Sequence, residues 1–182
     1  MNYKIKREKR ELVYKGSILD IYKDTMRLAD GNTEEWDYVA HRKGAAAVLP
    51  VLADGRIVLV EQYRNALERT TLEIPAGCRD YPGEDTRVCA SRELTEETGY
   101  HSDDIEFLIS LRTTVAFCNE SIDVYLARNL IPGEQQLDEA EEIQIRIFTL
   151  GEVLDMIYSG KMQDSKTVSA ILAYSTKLAG EQ

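Results

Sequence analysis

The densest run of chemically capable side chains is Arg92-Glu93-Leu94-Thr95-Glu96-Glu97-Thr98-Gly99. On a helix, Glu93 and Glu97 lie roughly 40° apart on one face, and Glu96 lies roughly 60° to the other side of Glu93. Like charges at this spacing repel and cost a helix a few tenths of a kcal/mol. They also place negative charge in the last turn, where the helix dipole favours cations. Ala90 and Leu94 begin an apolar stripe, and both glutamates lie on its edge rather than opposite it. Carboxylates placed there point into a groove, and such local conflicts are expected at functional sites. Hard divalent cations relieve the crowding: Mg²⁺ takes one or two carboxylates and keeps positions for water and phosphate.

A second acidic run is Asp138-Glu139-Ala140-Glu141-Glu142. By itself it reads as a solvated loop. In an extended strand, alternation would put Glu139 and Glu141 on one side. Trp36, the only tryptophan, is either a half-buried strand aromatic or a flat surface for a nucleobase. Arg64 is either a surface ion-pair partner or a fork for a phosphate oxygen. His41 and His101 are isolated and read as structural.

The elements that must hold these residues are legible from patterning. Val13–Tyr22 alternates loosely around Gly16, and Asp30-Gly31-Asn32 is a hairpin-type turn before a strand at Trp36–His41. Gly44–Leu52 is a nearly unbroken apolar run, consistent with a strand buried on both faces. Asp54-Gly55 turns into a strand over Arg56–Tyr63, so these two strands are expected to form the clearest hairpin of the chain. A short strand, Thr71–Ile74, precedes a helix over Asp85–Thr98, with Asp85 as N-cap and Gly99 at its C-terminal exit. Strands near 105–114, 120–127 and 143–148 and helices over Leu150–Ser159 and Ser165–Leu178 complete an α+β or mixed α/β layered domain.

The whole chain has 182 residues, the size of one domain. Such a chain buries roughly 70% of its unfolded surface, so its core needs no disulfide or structural metal. The net charge of −10 argues against sequence-independent nucleic-acid binding and against adhesion to anionic membranes. It also means that an anionic substrate needs cations or local arginines to reverse the field. Cys78, Cys89 and Cys118 show no CxxC spacing and suggest neither a disulfide framework nor a zinc site. With no apolar leader in its first residues and no run long enough to span a bilayer, the chain is expected in a reducing, cytoplasmic compartment.

Gly77, Glu84 and Arg92-Glu93-Leu94-x-Glu96-Glu97-x-Gly99-Tyr100 resemble the Nudix box, G-x5-E-x7-R-E-U-x-E-E-x-G-U. The departure is one extra residue: six, Cys78 to Gly83, separate Gly77 from Glu84. The resemblance implies a mixed sheet sandwiched between helices, with residues 1–43 a strand-rich extension and 44–182 the Nudix hydrolase domain. It implies Mg²⁺, or Mn²⁺ as a substitute, held by Glu93, Glu97, the Ala76 carbonyl and a further carboxylate, Glu96. It gives Glu84 and Arg92 a bracing pair and Gly77 and Gly99 structural roles.

Glu61-Gln62-Tyr63-Arg64 and Leu72-Glu73-Ile74-Pro75-Ala76-Gly77 are similar to segments of ADP-ribose and nucleotide-sugar pyrophosphatases, as is Gly160–Thr167. That likeness makes the acidic loop the source of a catalytic base and another metal ligand. Glu139 is taken as base and Glu141 as ligand, or the reverse. It makes Trp36, Arg64, Glu73 and Glu120 substrate contacts, with Glu120 toward the terminal sugar. It implies a homodimer in which the N-terminal extension shapes the partner's pocket. Thr114-Val115-Ala116-Phe117 departs from the family's SPGF-like stretch, with Val115 for proline and Ala116 for glycine. The implied reaction is hydrolysis of ADP-ribose or a related nucleoside-diphosphate sugar to a nucleoside monophosphate and a sugar phosphate. GDP-mannose or a dinucleotide as substrate, or a non-catalytic nucleotide-sugar sensor, are the alternatives.

Overall fold

A computed structural model describes residues 4–139 and 141–180. The chain opens with three long antiparallel strands, β1 (Lys6–Lys15), β2 (Leu19–Arg27) and β3 (Thr33–His41), which form a sheet of their own. Arg10 links them: it is bidentate to buried Asp24 and lies 3.6 Å over the Tyr38 ring. The sheet meets the rest of the molecule along one edge. There Val39 bridges Cys118, and the His41 N–H donates to Asn119 Oδ1 at 2.7 Å.

The centre is a four-stranded mixed sheet in the order β7 (Ala76–Cys78), β4 (Ala45–Pro50), β10 (Ser121–Arg128), β9 (Asp104–Arg112), with β4 and β10 parallel. Every residue of β4 is buried. Ala45, Ala47 and Leu49 face a core shared with α2 (Leu150–Tyr158) and α3 (Ser165–Gly180), while Ala46 and Val48 face α1 (Thr86–Thr98). That is why the segment reads as a continuous apolar run rather than an alternating one. The mixed sheet sandwiched between helices expected from the sequence is present.

One pairing differs from expectation. The Asp54-Gly55 turn forms, but β4 and β5 (Ile57–Arg64) are not a hairpin; they share only the bridge Val51↔Ile57. β5 pairs instead with β12 (Ile143–Phe148) and β6 (Arg69–Glu73) in a separate antiparallel sheet. Both strands carry apolar side chains that need cover on both faces, and a two-stranded hairpin cannot supply it. The turn therefore steps the chain from one layer to the next. The small pair β8 (Tyr100–His101) and β11 (Ile131–Pro132) completes the strands. Among the described residues, no helix is long and apolar enough to cross a membrane.

Candidate active site

The site is assembled where β6, β7 and α1 meet. α1 is set by its ends: Asp85 Oδ1 accepts from the Arg87 and Val88 N–H groups, and Gly99 closes the helix at φ 71°. That left-handed conformation is the one glycine adopts without strain. The residue added before Glu84 is absorbed in a loop rather than in the helix. Arg79 ties this loop to the Lys43 carbonyl at 2.6 Å, and Glu84, buried, accepts from the Asp80 N–H at 2.8 Å.

Glu93 and Glu97 are 7% and 3% exposed, so α1 turns both into the interior. Glu97 Oε2 accepts from the Ala76 N–H at 3.1 Å. The Glu93 carboxylate lies so close to Gly77 that a Cβ there would collide with it. Burial is the main cause of a raised pKa in both, to about 7 for Glu93 and about 8 for Glu97, with nearby carboxylates including Glu141 adding to it. Glu96 is less buried and takes a hydrogen bond from Arg92 Nη1 at 2.9 Å. Arg92 also bonds Glu93 at 2.7 Å and the Cys78 carbonyl at 3.0 Å. It stands 3.8 Å from Glu84, so it braces the β7–α1 loop more than it pairs with that glutamate.

The acidic loop is delivered from the other end of the helix. Gln135 Nε2 donates to the Glu97 carbonyl at 2.6 Å, and the Gln136 N–H donates to the Glu96 carbonyl at 2.9 Å. These are helix-end carbonyls that lack intrahelical partners. The loop then turns at Asp138, whose carbonyl accepts from the Glu141 N–H at 2.9 Å, instead of running extended. The alternation expected for Glu139 and Glu141 therefore does not apply. Glu141 comes near enough to Glu93 and Glu97 to act on their ionisation, while Glu139 is exposed on the turn. Ala140 between them lies outside the described residues.

A cavity of about 350 Å³ opens beside this platform, lined by Arg64, Ala76, Gly77, Cys78, Glu120 and Lys166 among others. Arg64 is bidentate to Glu73 through Nε and Nη2, both at 2.6 Å. Glu73 is 3% exposed. Burial opposes its charge, but Arg64, Lys166 and Thr71 together hold its pKa down at about 2. Glu73 is thus engaged within the protein rather than presented to the cavity. Glu120 Oε2 accepts from Thr113 Oγ1 at 2.8 Å, and His41 Nε2 stands 3.6 Å from its other oxygen.

Trp36 is not in this cavity. It lines a separate groove with Ile21, Val39 and Phe117, and its Nε1 donates to Glu34 at 3.2 Å. The charged wall residues Asp164 and Lys166 escaped the sequence reading, as did His41, read as structural, which stands beside Glu120 rather than in the wall. For Lys166 a signal existed, since a lysine in the first turn of a helix opposes the dipole just as Glu97 does in a last turn. For His41 there was none, because its neighbours come from distant strands.

Among the described residues no three acidic, histidine or cysteine side chains close into a ready-made metal cage. The donor set still fits a hard divalent ion. Two buried carboxylates are crowded together beside a backbone loop, and Mg²⁺ completes its shell with water and substrate oxygens.

Fold and site together define a hydrolase of the mixed α/β layered class. A family model described as NUDIX domain matches residues 41–170, and the chain belongs to that family. It is 41% identical over 165 residues to a methanol dehydrogenase activator of Bacillus methanolicus, covering 90% of this chain and 88% of that one. It is 36% identical over 164 residues to an ADP-ribose pyrophosphatase of Bacillus subtilis (strain 168), covering 89% and 88%. A crystal structure of an ADP compounds hydrolase superposes with a TM-score of 0.87 at 22% identity, over 97% of this chain and 95% of that one, which shows the shared fold.

Proposed function

We propose that this enzyme hydrolyses the diphosphate bond of ADP-ribose or a related nucleoside-diphosphate sugar, giving a nucleoside monophosphate and a sugar phosphate. The observation that carries the reading is the contact of the Ala76-Gly77 backbone with the buried Glu93 and Glu97 carboxylates, at the edge of a cavity walled by Arg64. Similarity to chains named ADP-ribose pyrophosphatase supports the substrate class. Glu93, Glu97, Glu96, Glu141 and the Ala76 carbonyl would hold Mg²⁺, with Mn²⁺ as a substitute. When bound, the ion supplies charge that polarises phosphate oxygens and acidifies a water.

The chain's own residues do the rest. Arg64, fixed by Glu73, meets a phosphate oxygen. Glu139 or Glu141 takes the proton as water oxygen bonds to phosphorus and the bridging P–O bond breaks. Glu120, steadied by Thr113, receives hydroxyls of the terminal sugar. We read the β1–β3 extension, residues 1–43, as the dimerisation element. The paired-cysteine-free sequence and net charge of −10 support a reducing cytoplasmic setting with no nucleic-acid partner. The test is a panel of ADP-ribose, GDP-mannose and dinucleotides with Mg²⁺ or Mn²⁺, scored chromatographically for phosphate monoesters. Turnover is expected and is greatest with ADP-ribose. Tight binding without products would replace the enzyme reading with a sensor.

A further inference from the structure

Lys166 is a buried cation at the edge of the candidate site. It is 8% exposed and lies in the first turn of α3, where the dipole disfavours a cation. Its Nζ donates to Glu73 Oε2 and, at 3.0 Å, to Asp164 Oδ2. Glu73 is already neutralised by the bidentate Arg64 guanidinium. Asp164 already accepts from the Thr167 N–H at 3.0 Å and its hydroxyl at 2.6 Å. Those Asp164 partners are neutral, so Lys166 is its counter-charge, and the Arg64–Glu73–Lys166–Asp164 cluster balances two cations against two carboxylates.

The donor count shows what is left over. An ammonium has three N–H donors and a guanidinium five. Two are used on Lys166 and two on Arg64 by the partners above. Both residues line the 350 Å³ cavity that includes Ala76 and Gly77. Both also line an adjoining hollow of about 460 Å³. Glu73 sits between the two cations and keeps them adjacent, where they would otherwise repel. Both cations border the cavity beside Asp164 and Glu120, and the donors they have to spare are what the wall can offer an anion.

We infer that Arg64 and Lys166, spaced by Glu73, form a phosphate clamp opposite the acidic platform, and that Lys166 is a substrate-binding residue. Glu73 is then the spacer of the clamp and not itself a contact. The inference deepens the proposed function and rests on reading the cavity as a diphosphate site. The phosphate held by the clamp takes charge-assisted hydrogen bonds from both cations. No metal is required for that grip, which makes it separable from catalysis.

The test uses the full chain in EDTA, titrated with inorganic pyrophosphate by calorimetry. Wild-type protein should bind, Lys166→Met should bind about tenfold more weakly or worse, and Lys166→Arg should recover most of the affinity. Lys166→Met also strands Glu73 with one cation fewer, so a structural explanation has to be separated. The double variant Glu73→Gln/Lys166→Met removes both buried charges. Its melting temperature should return toward that of the wild type while its pyrophosphate affinity stays low. Wild-type affinity in Lys166→Met, recovery of affinity together with stability in the double variant, or no binding by the wild type in EDTA would each overturn the clamp. If no nucleoside-diphosphate sugar is hydrolysed but pyrophosphate binding still depends on Lys166, the clamp stands and the substrate reading falls.

Discussion

Glu93 and Glu97 sit where burial and nearby carboxylates favour the protonated form, at pKa values of about 7 and about 8. In the metal-free protein each holds its proton above the pH at which the unfolded chain releases it. Their contribution to stability is therefore full below the ordinary glutamate value of 4.5 and is lost as pH rises through 7 and 8. Glu73 has the opposite sign, because its contribution disappears only as pH falls through about 2. Melting curves in EDTA should thus decline from pH 5 to pH 8, and Glu97→Gln should flatten the slope. A wild-type slope in that variant would mean that other groups set it. With metal present, Glu97→Gln should lose most of its activity, about 10²-fold or more, while remaining folded. Gly77→Ala should act through the same carboxylate. Its methyl would displace Glu93, so activity should fall about 10–100-fold. Near-normal turnover would show that Glu93 has room to move.

At the scale of elements, what was legible in the sequence was local. Asp85, Gly99 and the intervening stripe specify α1 within one segment, so its ends and its carboxylate face followed from spacing alone. The β4–β5 hairpin was misjudged because a turn dictates where the chain reverses, not which strand it pairs with. The partners β10 and β12 are chosen by burial far along the chain. The Arg64–Glu73–Lys166 cluster was half visible for the same reason: Arg64 and Glu73 belong to neighbouring strands, while Lys166 comes from α3. A second link joins these elements. The Ile74 N–H, two residues before Ala76, donates to the buried Thr167 hydroxyl at 2.9 Å. Thr167→Val leaves that amide unpaired and should cost about 1–3 kcal/mol, read by denaturant unfolding. A loss well under 1 kcal/mol would show that α3 does not anchor the platform.

For the whole molecule, the separation of Trp36 from the Arg64 cavity has a direct consequence. A nucleobase stacked on Trp36 and a diphosphate in that cavity belong to different surfaces of one chain. The exposed apolar side chains Leu12, Val13 and Tyr14 on β1 give the extension a surface suited to a second copy. Sedimentation should report a dimer, and Val13→Glu with Tyr14→Lys should shift it toward monomer. A wild-type monomer at working concentration would dismiss the extension as a dimerisation element. Trp36→Ala should raise KM for adenine nucleotides and leave kcat nearly unchanged; an unaltered KM would return Trp36 to a packing role.

The step between layers at Asp54-Gly55 also sets an order of events during synthesis. β4 waits for β10 and β5 waits for β12, so the four-stranded sheet cannot close until the chain has been made past Arg128, nor the other until past Phe148. Within the β1–β3 meander the pairings are local, so it can form while the remainder is still emerging. The acidic helix is made before β10, and a helix of 13 residues is marginal in water until it is packed. Its glutamates lose their hydration only as α1 packs on β4 and β7, so the electrostatic strain of the site is deferred until that sheet assembles.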